Sequence, residues 1–297
     1  MKKAFSFLIY ASFVFLLIYL YRLDYLSFSG LEWRVAPLMA SVLFLWAGFL
    51  LSSLSWWFIL KKHSMSVKPV TCIISHGLYV FAKYIPGKIW VILGRAGYIT
   101  QVGYSLKSTS FFSFKEQIIY LWCGLLISAI PMLFFFGFTP YTAGALAALL
   151  FMTFFLFSKR FHHFFLGIAQ RLSKRKWEIP FVGFRESGGI MVFVLGYWAL
   201  WLIAFYFLII AFYPSAGPEV SFAFPLSVTV GLMAIFFPGG LGVREGIMAG
   251  YLVLAGIPPE TAATITLFAR VWFITGEVFI FLTALVLRSL RGRPQSG

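Results

Sequence analysis

Acidic residues are scarce in this sequence, and charged residues of any kind are few. Only 11% of the 297 residues are Asp, Glu, Lys or Arg, whereas soluble globular domains have about 25% charged residues. Asp24 is the only aspartate, which argues against phosphoryl chemistry on a metal ion held by acidic side chains. The composition excludes an ordinary soluble domain and gives no support to a metal-dependent enzyme.

Cysteine is almost absent, and the metal-binding residue types show no ligand spacing. Cys72 and Cys123 lie in apolar segments, where a free cysteine usually serves as a buried packing residue. They carry no information about the redox compartment. His162 and His163 have no third ligand near them in the sequence, so we interpret them as residues of the membrane interface. We therefore expect neither a metal site nor a cofactor.

Apolar residues dominate the rest of the chain. They make up 61% of it, with a mean hydropathy of +0.92, and several continuous runs reach or approach the ~20 residues that a helix needs to cross a bilayer. Lipid offers no hydrogen-bond partner to an exposed backbone, so these runs must be helical. The predicted fold class is an all-α polytopic membrane protein of about six full spans, near residues 5–21, 37–60, 116–137, 141–158, 187–213 and 261–287. The first run has no clear cleavage site after it, so we expect it to be retained.

Two further apolar regions are each broken near the middle. Pro86-Gly87 interrupts residues 70–106, and Pro238-Gly239-Gly240 interrupts residues 222–257. Proline removes a helical hydrogen-bond donor and glycine loosens the backbone, so each region is predicted to be a re-entrant hairpin of two short helices. Non-helical backbone at membrane depth is tolerated only inside protein or along a water-filled cavity.

Lysine and arginine are distributed asymmetrically along the chain. With the N-terminus inside, 17 of the 24 Lys and Arg residues fall in cytoplasmic segments, and external loops hold only Arg22 and Arg34. This bias predicts that both termini are cytoplasmic and that the protein lies in the bacterial inner (plasma) membrane. Topology thereby explains the net charge of +15, and we expect no nucleic-acid partner.

This topology predicts an inverted repeat within one transmembrane domain, residues 1–297. The halves, about 1–137 and 141–290, have opposite orientations because the first broken hairpin enters from the cytoplasm and the second from outside. Inverted repeats with broken helices are a recurrent plan of transporters, whose substrate site lies near mid-membrane. Residues 159–186 are predicted to be a basic amphipathic cytoplasmic segment that lies on the anionic leaflet.

Seven charged residues fall in sequence predicted to be embedded in the membrane. Charges at this depth cost at least ~2.5 kcal/mol each at a helix centre and are usually functional. The five cations exceed the two carboxylates by three, which leaves positive charge for an anionic ligand. The alternatives are that they pair with one another or that the lysines reach the interface. The seven are Lys83, Lys88, Arg95, Arg244, Glu245, Arg270 and Glu277.

The two breaks add to this predicted site. A half-helix that starts after each Pro-Gly turn would point its N-terminus toward mid-membrane, where free N–H groups and the helix dipole bind anions. Glu245 and Glu277 are candidates for proton coupling or for static pairing with Arg270 or Arg95. A glycine of a full span, such as Gly48, is expected to face lipid instead. The predicted substrate-binding residues are Pro86, Gly87, Lys88, Arg95, Pro238, Gly239, Gly240, Arg244, Glu245, Arg270 and Glu277.

Two stretches of the sequence resemble a known family. FPGGLGVREGIMAGYLVLAGIPPETAATITLFARVWFITGE at residues 237–277 is similar to the flippase-like transmembrane region of lysylphosphatidylglycerol synthases and their stand-alone relatives. YIPGKIWVILGR at residues 84–95 is similar to the family's earlier Pro-Gly element, although Lys88 stands where many relatives have a second glycine. The resemblance implies movement of lipids with anionic or modified headgroups between leaflets. The sequence ends ten residues after its last predicted span, so we expect no aminoacyltransferase activity.

Together these patterns predict translocation of an anionic or phosphate-linked lipid across the inner membrane. The substrate could be a polyprenyl-phosphate sugar, another glycolipid precursor or an aminoacylated phospholipid. One alternative is an integral-membrane lipid transferase, but Glu245 has no His, Asp or Ser constellation beside it, so we expect no enzyme. A small-anion channel or exchanger is the other alternative. The expected partners are membrane lipids, the lipid-linked substrate and envelope-biosynthesis enzymes.

Overall fold

A computed structural model describes residues 34–85, 89–173, 181, 183–234, 240 and 242–291 of the chain. Within these ranges the protein is all-helical, with ten α-helices and no strand. The predicted span 5–21 lies outside the described residues, as do Pro86, Gly87, Lys88, Pro238 and Gly239. The helices are α1 (Val35–Lys62), α2 (Pro69–Leu78), α3 (Ile89–Ile99), α4 (Leu106–Phe136), α5 (Pro140–Phe157), α6 (Lys159–Ser173), α7 (Phe184–Phe212), α8 (Ala223–Met233), α9 (Val243–Leu254) and α10 (Pro259–Arg291).

Five of these helices are long and apolar enough to cross a membrane: α1, α4, α5, α7 and α10. They confirm five of the six predicted full spans. The largest difference is at the start of α4, which begins at Leu106 rather than near residue 116. The Ser105 hydroxyl accepts a hydrogen bond from the Ser108 N–H at 3.3 Å and caps the helix there. Lys115 and Glu116 therefore lie within the helix, and both are buried.

Each broken region forms two short helices, as the Pro-Gly turns predict. In the first, α2 continues into a 3₁₀ turn, Val80–Tyr84, and α3 follows the break. In the second, a 3₁₀ turn, Pro218–Phe222, leads into α8, and α9 follows the break. Helices of ten to twelve residues rise about 1.5 Å per residue and are too short to cross the ~30 Å hydrocarbon core alone.

Helices α1 and α7 form the central pair of the bundle. Aromatic rings interlock along the pair, with Phe49 and Trp201 centroids 5.2 Å apart and those of Phe58 and Phe193 4.7 Å apart. Gly48 is buried in this contact, and a Cβ on it would collide with the Trp201 indole. The expectation that Gly48 faces lipid is therefore wrong, because the glycine allows the indole to approach the α1 backbone.

The contacts among eight of the helices fall into matched pairs. Helix α2 packs on α10 as α8 packs on α4, and α3 packs on α4 as α9 packs on α10. Helix α1 contacts α2 and α10 just as α7 contacts α8 and α4. Small residues make the close approaches: Gly77 of α2 lies against the Ile280 carbonyl of α10, and Gly124 of α4 lies against Thr229 of α8. Exchanging α1–α4 with α7–α10 therefore leaves this pattern of helix contacts unchanged.

Helix α6 is the first part of the predicted basic segment 159–186. Phe164 and Ile168 are exposed on it, as an amphipathic helix at a lipid surface requires. His162 is buried, and its Nδ1 lies 3.1 Å from the Phe155 carbonyl oxygen. In the described part of the chain, no group of three or more His, Cys, Asp or Glu residues could hold a metal ion.

Candidate functional site

A cavity of about 160 Å³ lies where the two broken regions meet the central helices. Its lining contains four cationic side chains, which come from four different helical segments. Lys83 lies in the 3₁₀ turn after α2, Arg95 on α3, Arg244 in the first turn of α9, and Arg270 on α10. The only carboxylate among the described lining residues is Glu116 of α4.

Unlike Lys83, Arg95 and Arg270, Arg244 forms no ion pair with the described residues. Its guanidinium group stacks on two aromatic rings, 5.3 Å from the Phe224 centroid and 4.9 Å from the Phe273 centroid. Its side chain is buried, at 8% exposure, and Nη2 has no hydrogen-bond partner among the described residues. A buried donor without a partner is costly, and more so in a charged group. The aromatic rings hold the cation in place without using its hydrogen bonds, so Nη2 can bond an anion in the cavity.

Arg270 and Glu245 join α10 to α9. Arg270 Nη1 lies 3.2 Å from Glu245 Oε1, and the other carboxylate oxygen accepts the Gly242 N–H at 2.7 Å. Glu245 thus caps the start of α9 and carries a charge that pairs with Arg270. Of the two roles predicted for Glu245, the geometry supports pairing with Arg270.

Glu277 lies two turns beyond Arg270 on the same face of α10. It is fully buried, forms an ion pair with Lys83, and accepts a hydrogen bond from the Tyr84 hydroxyl at 2.9 Å. The 3₁₀ turn that precedes the first break is therefore fixed to α10 through this carboxylate. Of the two alternatives to a functional role predicted for Lys83, the geometry supports pairing with another embedded charge and not reaching the interface.

Arg95 is held by more partners than the other cations. Nη1 lies 2.7 Å from Glu116 Oε2, Nε donates to the Ser113 hydroxyl at 2.5 Å, and Nη2 donates to the Ser113 carbonyl at 2.8 Å. The guanidinium also lies 4.4 Å from the Trp56 ring centroid. Glu116 was absent from the predicted count of embedded charges, and so was Lys115, which is also buried. Because Lys88 lies outside the described residues, the excess of three stays a prediction. The described site has four cations and three carboxylates, which leaves one net positive charge.

The second break is closely packed at Gly240. This residue has φ = +71°, and a Cβ on it would lie 2.7 Å from the Gly231 carbonyl oxygen of α8. Only glycine fits there. Gly242, at φ = +80°, precedes α9 in open space. The contribution predicted for Pro86, Gly87, Lys88, Pro238 and Gly239 stays a prediction, because these residues lie outside the described part of the chain.

Part of the cavity wall was not found from the sequence. Gln117 and Tyr120 of α4, with Tyr197 and Trp201 of α7, line the side formed by the long helices. Tyr120, Tyr197 and Trp201 stand in continuous apolar runs in which nothing in residue type or spacing separates them from packing residues, and Gln117 lies at the polar start of such a run. His76 also lines the cavity, with Nε2 3.4 Å from the Ser52 hydroxyl.

Comparison with known proteins identifies one family. The model of the lysylphosphatidylglycerol synthase TM region matches residues 3–289, nearly the whole chain. No curated protein and no solved structure matches the sequence significantly.

Proposed function

Because the chain belongs to the lysylphosphatidylglycerol synthase TM region family, we propose that it moves a lipid with a phosphate-bearing headgroup between the leaflets of the membrane. The family and the long apolar helices make it a multi-pass membrane protein with a function related to membrane lipids. The observation that carries the proposal is the buried Arg244 guanidinium, whose Nη2 has no partner among the described residues and which lies at a cavity lined by cations.

The geometry supports binding of a phosphate between the two broken regions. Arg244 and Arg270 both line the cavity, and an arginine fork can bond two phosphate oxygens at once. Lys83 adds a third cation from the opposite broken region. Because a bare phosphate is very unfavourable in hydrocarbon, the headgroup crosses inside the protein while the lipid tails stay in the bilayer.

The exchangeable helix contacts support an inverted repeat, in which the two broken hairpins act as equivalent halves around one site. In this proposal the hairpins rearrange alternately and open the cavity to one leaflet and then to the other. Each hairpin is tied to a long helix through an ion pair, Arg95–Glu116 in the first half and Glu245–Arg270 in the second.

The bias of Lys and Arg toward predicted cytoplasmic segments supports the proposed orientation. In this proposal both termini lie in the cytoplasm, and the membrane is the bacterial inner membrane. Enzymes of envelope biosynthesis are the proposed partners, because they would supply the lipid on one face and use it on the other.

Reconstitution into proteoliposomes tests the translocation. Headgroup-labelled polyprenyl-phosphate sugar or phosphatidylglycerol would be placed in both leaflets, and an impermeant quencher would report how fast the inner pool becomes accessible. We expect wild-type protein to accelerate this exchange and Arg244→Gln to abolish most of the acceleration.

The same vesicles separate the rival functions. Rapid chloride or sulfate flux without lipid exchange would identify an anion channel or exchanger, and a chemically altered lipid in the extract would identify a transferase. Either result in place of lipid exchange overturns the proposal.

A further inference from the structure

One side of the cavity is uncharged and aromatic. The rings of Tyr120 and Tyr197 stack with centroids 5.9 Å apart, and Trp201 continues the wall 5.0 Å from Tyr197. Trp201 then contacts Phe273 at 5.5 Å, and Arg244 lies on the Phe273 ring. The aromatic wall therefore leads directly to the cationic end of the cavity.

The Trp201 indole N–H donates to the Leu45 carbonyl oxygen at 3.3 Å, but three other polar groups at this wall are not used within the described protein. No hydrogen bond among the described residues involves the hydroxyls of Tyr120 and Tyr197 or the side-chain amide of Gln117, and all three side chains line the cavity. The two tyrosines are 8% and 3% exposed. A buried tyrosine usually bonds its hydroxyl to a partner. Hydroxyls and amides both donate and accept hydrogen bonds, which suits a ligand with several hydroxyl groups.

The carboxylates of the described site are all engaged. Glu116 pairs with Arg95, Glu245 with Arg270, and Glu277 with Lys83 and Tyr84. An ammonium group in the cavity would meet one net positive charge and no carboxylate that is not already ion-paired. Like charges within one small cavity repel strongly where water is excluded.

We propose that the headgroup bound here is a sugar joined to the lipid through phosphate, and not an aminoacyl group. Arg244 and Arg270 bind the phosphate, and the aromatic wall with Gln117 binds the sugar, whose C–H faces pack on the rings while its hydroxyls bond the polar groups. This assignment rests on the proposed lipid translocation. It also sets the chain apart from the lysyl lipid in its family's description, because lysyl groups are cationic.

The test compares three lipids in proteoliposomes: a polyprenyl phosphate, the same lipid carrying one hexose, and lysylphosphatidylglycerol. We expect the hexose lipid to exchange about tenfold faster than the lysyl lipid. Tyr120→Phe and Tyr197→Phe should each slow the hexose lipid about threefold to tenfold, since each removes one hydrogen bond, and leave the bare phosphate lipid unchanged. Tyr141→Phe, on an exposed tyrosine of α5, is the control.

The outcomes separate the two levels of the proposal. If all three lipids exchange equally, if the lysyl lipid is preferred, or if the tyrosine changes slow the bare phosphate lipid just as much, the sugar assignment is overturned while translocation stands. If no lipid exchanges, the proposed function fails and the assignment fails with it. Because Tyr→Phe keeps the ring, each variant's folding can be checked by its thermal unfolding before transport is measured.

Discussion

At the scale of single residues, two buried arginines follow breaks in the chain but differ in what surrounds them. Arg95 bonds Glu116 and Ser113 with all of its nitrogens, whereas Arg244 is held by aromatic rings and keeps Nη2 unbonded within the described structure. The first arrangement fixes α3 to α4, and the second leaves a donor for a ligand. Arg244 should therefore act mainly in transport and Arg95 mainly in stability.

Replacing Arg244 should remove transport without unfolding the protein. Arg244→Gln loses a charged hydrogen bond to phosphate, worth about 1.5–3 kcal/mol, so the exchange rate should fall about tenfold to a hundredfold. Rates would be measured in proteoliposomes at equal protein content. Arg288→Gln is the control, since Arg288 is exposed near the end of α10. Equal rates for wild type and Arg244→Gln would remove the arginine from the binding site.

Replacing Glu116 alone should destabilise the protein, because Arg95 would be left buried without its counter-ion. We expect Glu116→Gln to cost about 3–5 kcal/mol, and the double change Arg95→Met with Glu116→Leu to recover much of that loss. Thermal unfolding in detergent measures both variants. If the double variant were as unstable as the sum of its single variants, the pair would not be coupled as the structure shows.

The sequence predicted which charges belong to the site better than it predicted their partners. Arg244, Glu245, Arg270 and Glu277 stood out because charges in apolar runs are rare, and the structure brings them together. Glu116 did not stand out, because the polar residues before it resemble a cytoplasmic loop. Two of those polar residues, Thr109 and Ser113, are fully buried and bond to residues of α3. Tyr120 and Tyr197 could not be distinguished from packing residues, since only tertiary structure shows which aromatic side chains face a cavity.

At the scale of elements, each break separates two short helices of one broken region. Proline and glycine in apolar regions were enough to predict four short helices, because few other residues end a helix there. The close packing at the second break could not be predicted from the sequence, because there Gly240 lies against the Gly231 backbone. Such contacts depend on how α8 and α9 pack, which local sequence does not determine.

The effect of an alanine at the second break should therefore depend on the space available to its methyl group as well as on the backbone φ. Gly240→Ala meets both a left-handed φ and the Gly231 carbonyl, so its effect should exceed that of Gly242→Ala, which meets only the φ penalty of about 1 kcal/mol. Gly144→Ala, in an open helical position of α5, is the control. Gly48 is unsuitable as a control because a Cβ there would collide with Trp201. Exchange rates and unfolding temperatures would both be measured. Equal damage at Gly144 would show that any added methyl disturbs this bundle.

At the scale of the whole molecule, the proposed orientation of the halves rests on charge asymmetry and is open to direct measurement. Cys72 and Cys123 are buried, so introduced cysteines can be labelled selectively. We expect Ser215→Cys, in the exposed turn after α7, to react with an impermeant maleimide from outside the cell, and Lys107→Cys, at the start of α4, only after the inner face is opened. Labelling of both from the same face would contradict the inverted arrangement.

The matched helix contacts bear on how the polypeptide could be divided. The pairs α1–α7, α2–α10 and α4–α8 all join the part that ends at Ser173 to the part that begins at Phe184, so each part alone leaves these packing faces uncovered. A chain cut after Ser173 should yield fragments 1–173 and 174–297 that are degraded when produced alone. Produced together in one cell, the two fragments should associate into a stable complex that co-purifies. The connecting peptide would then be dispensable, and complementation between fragments would depend only on the surfaces that the two parts share.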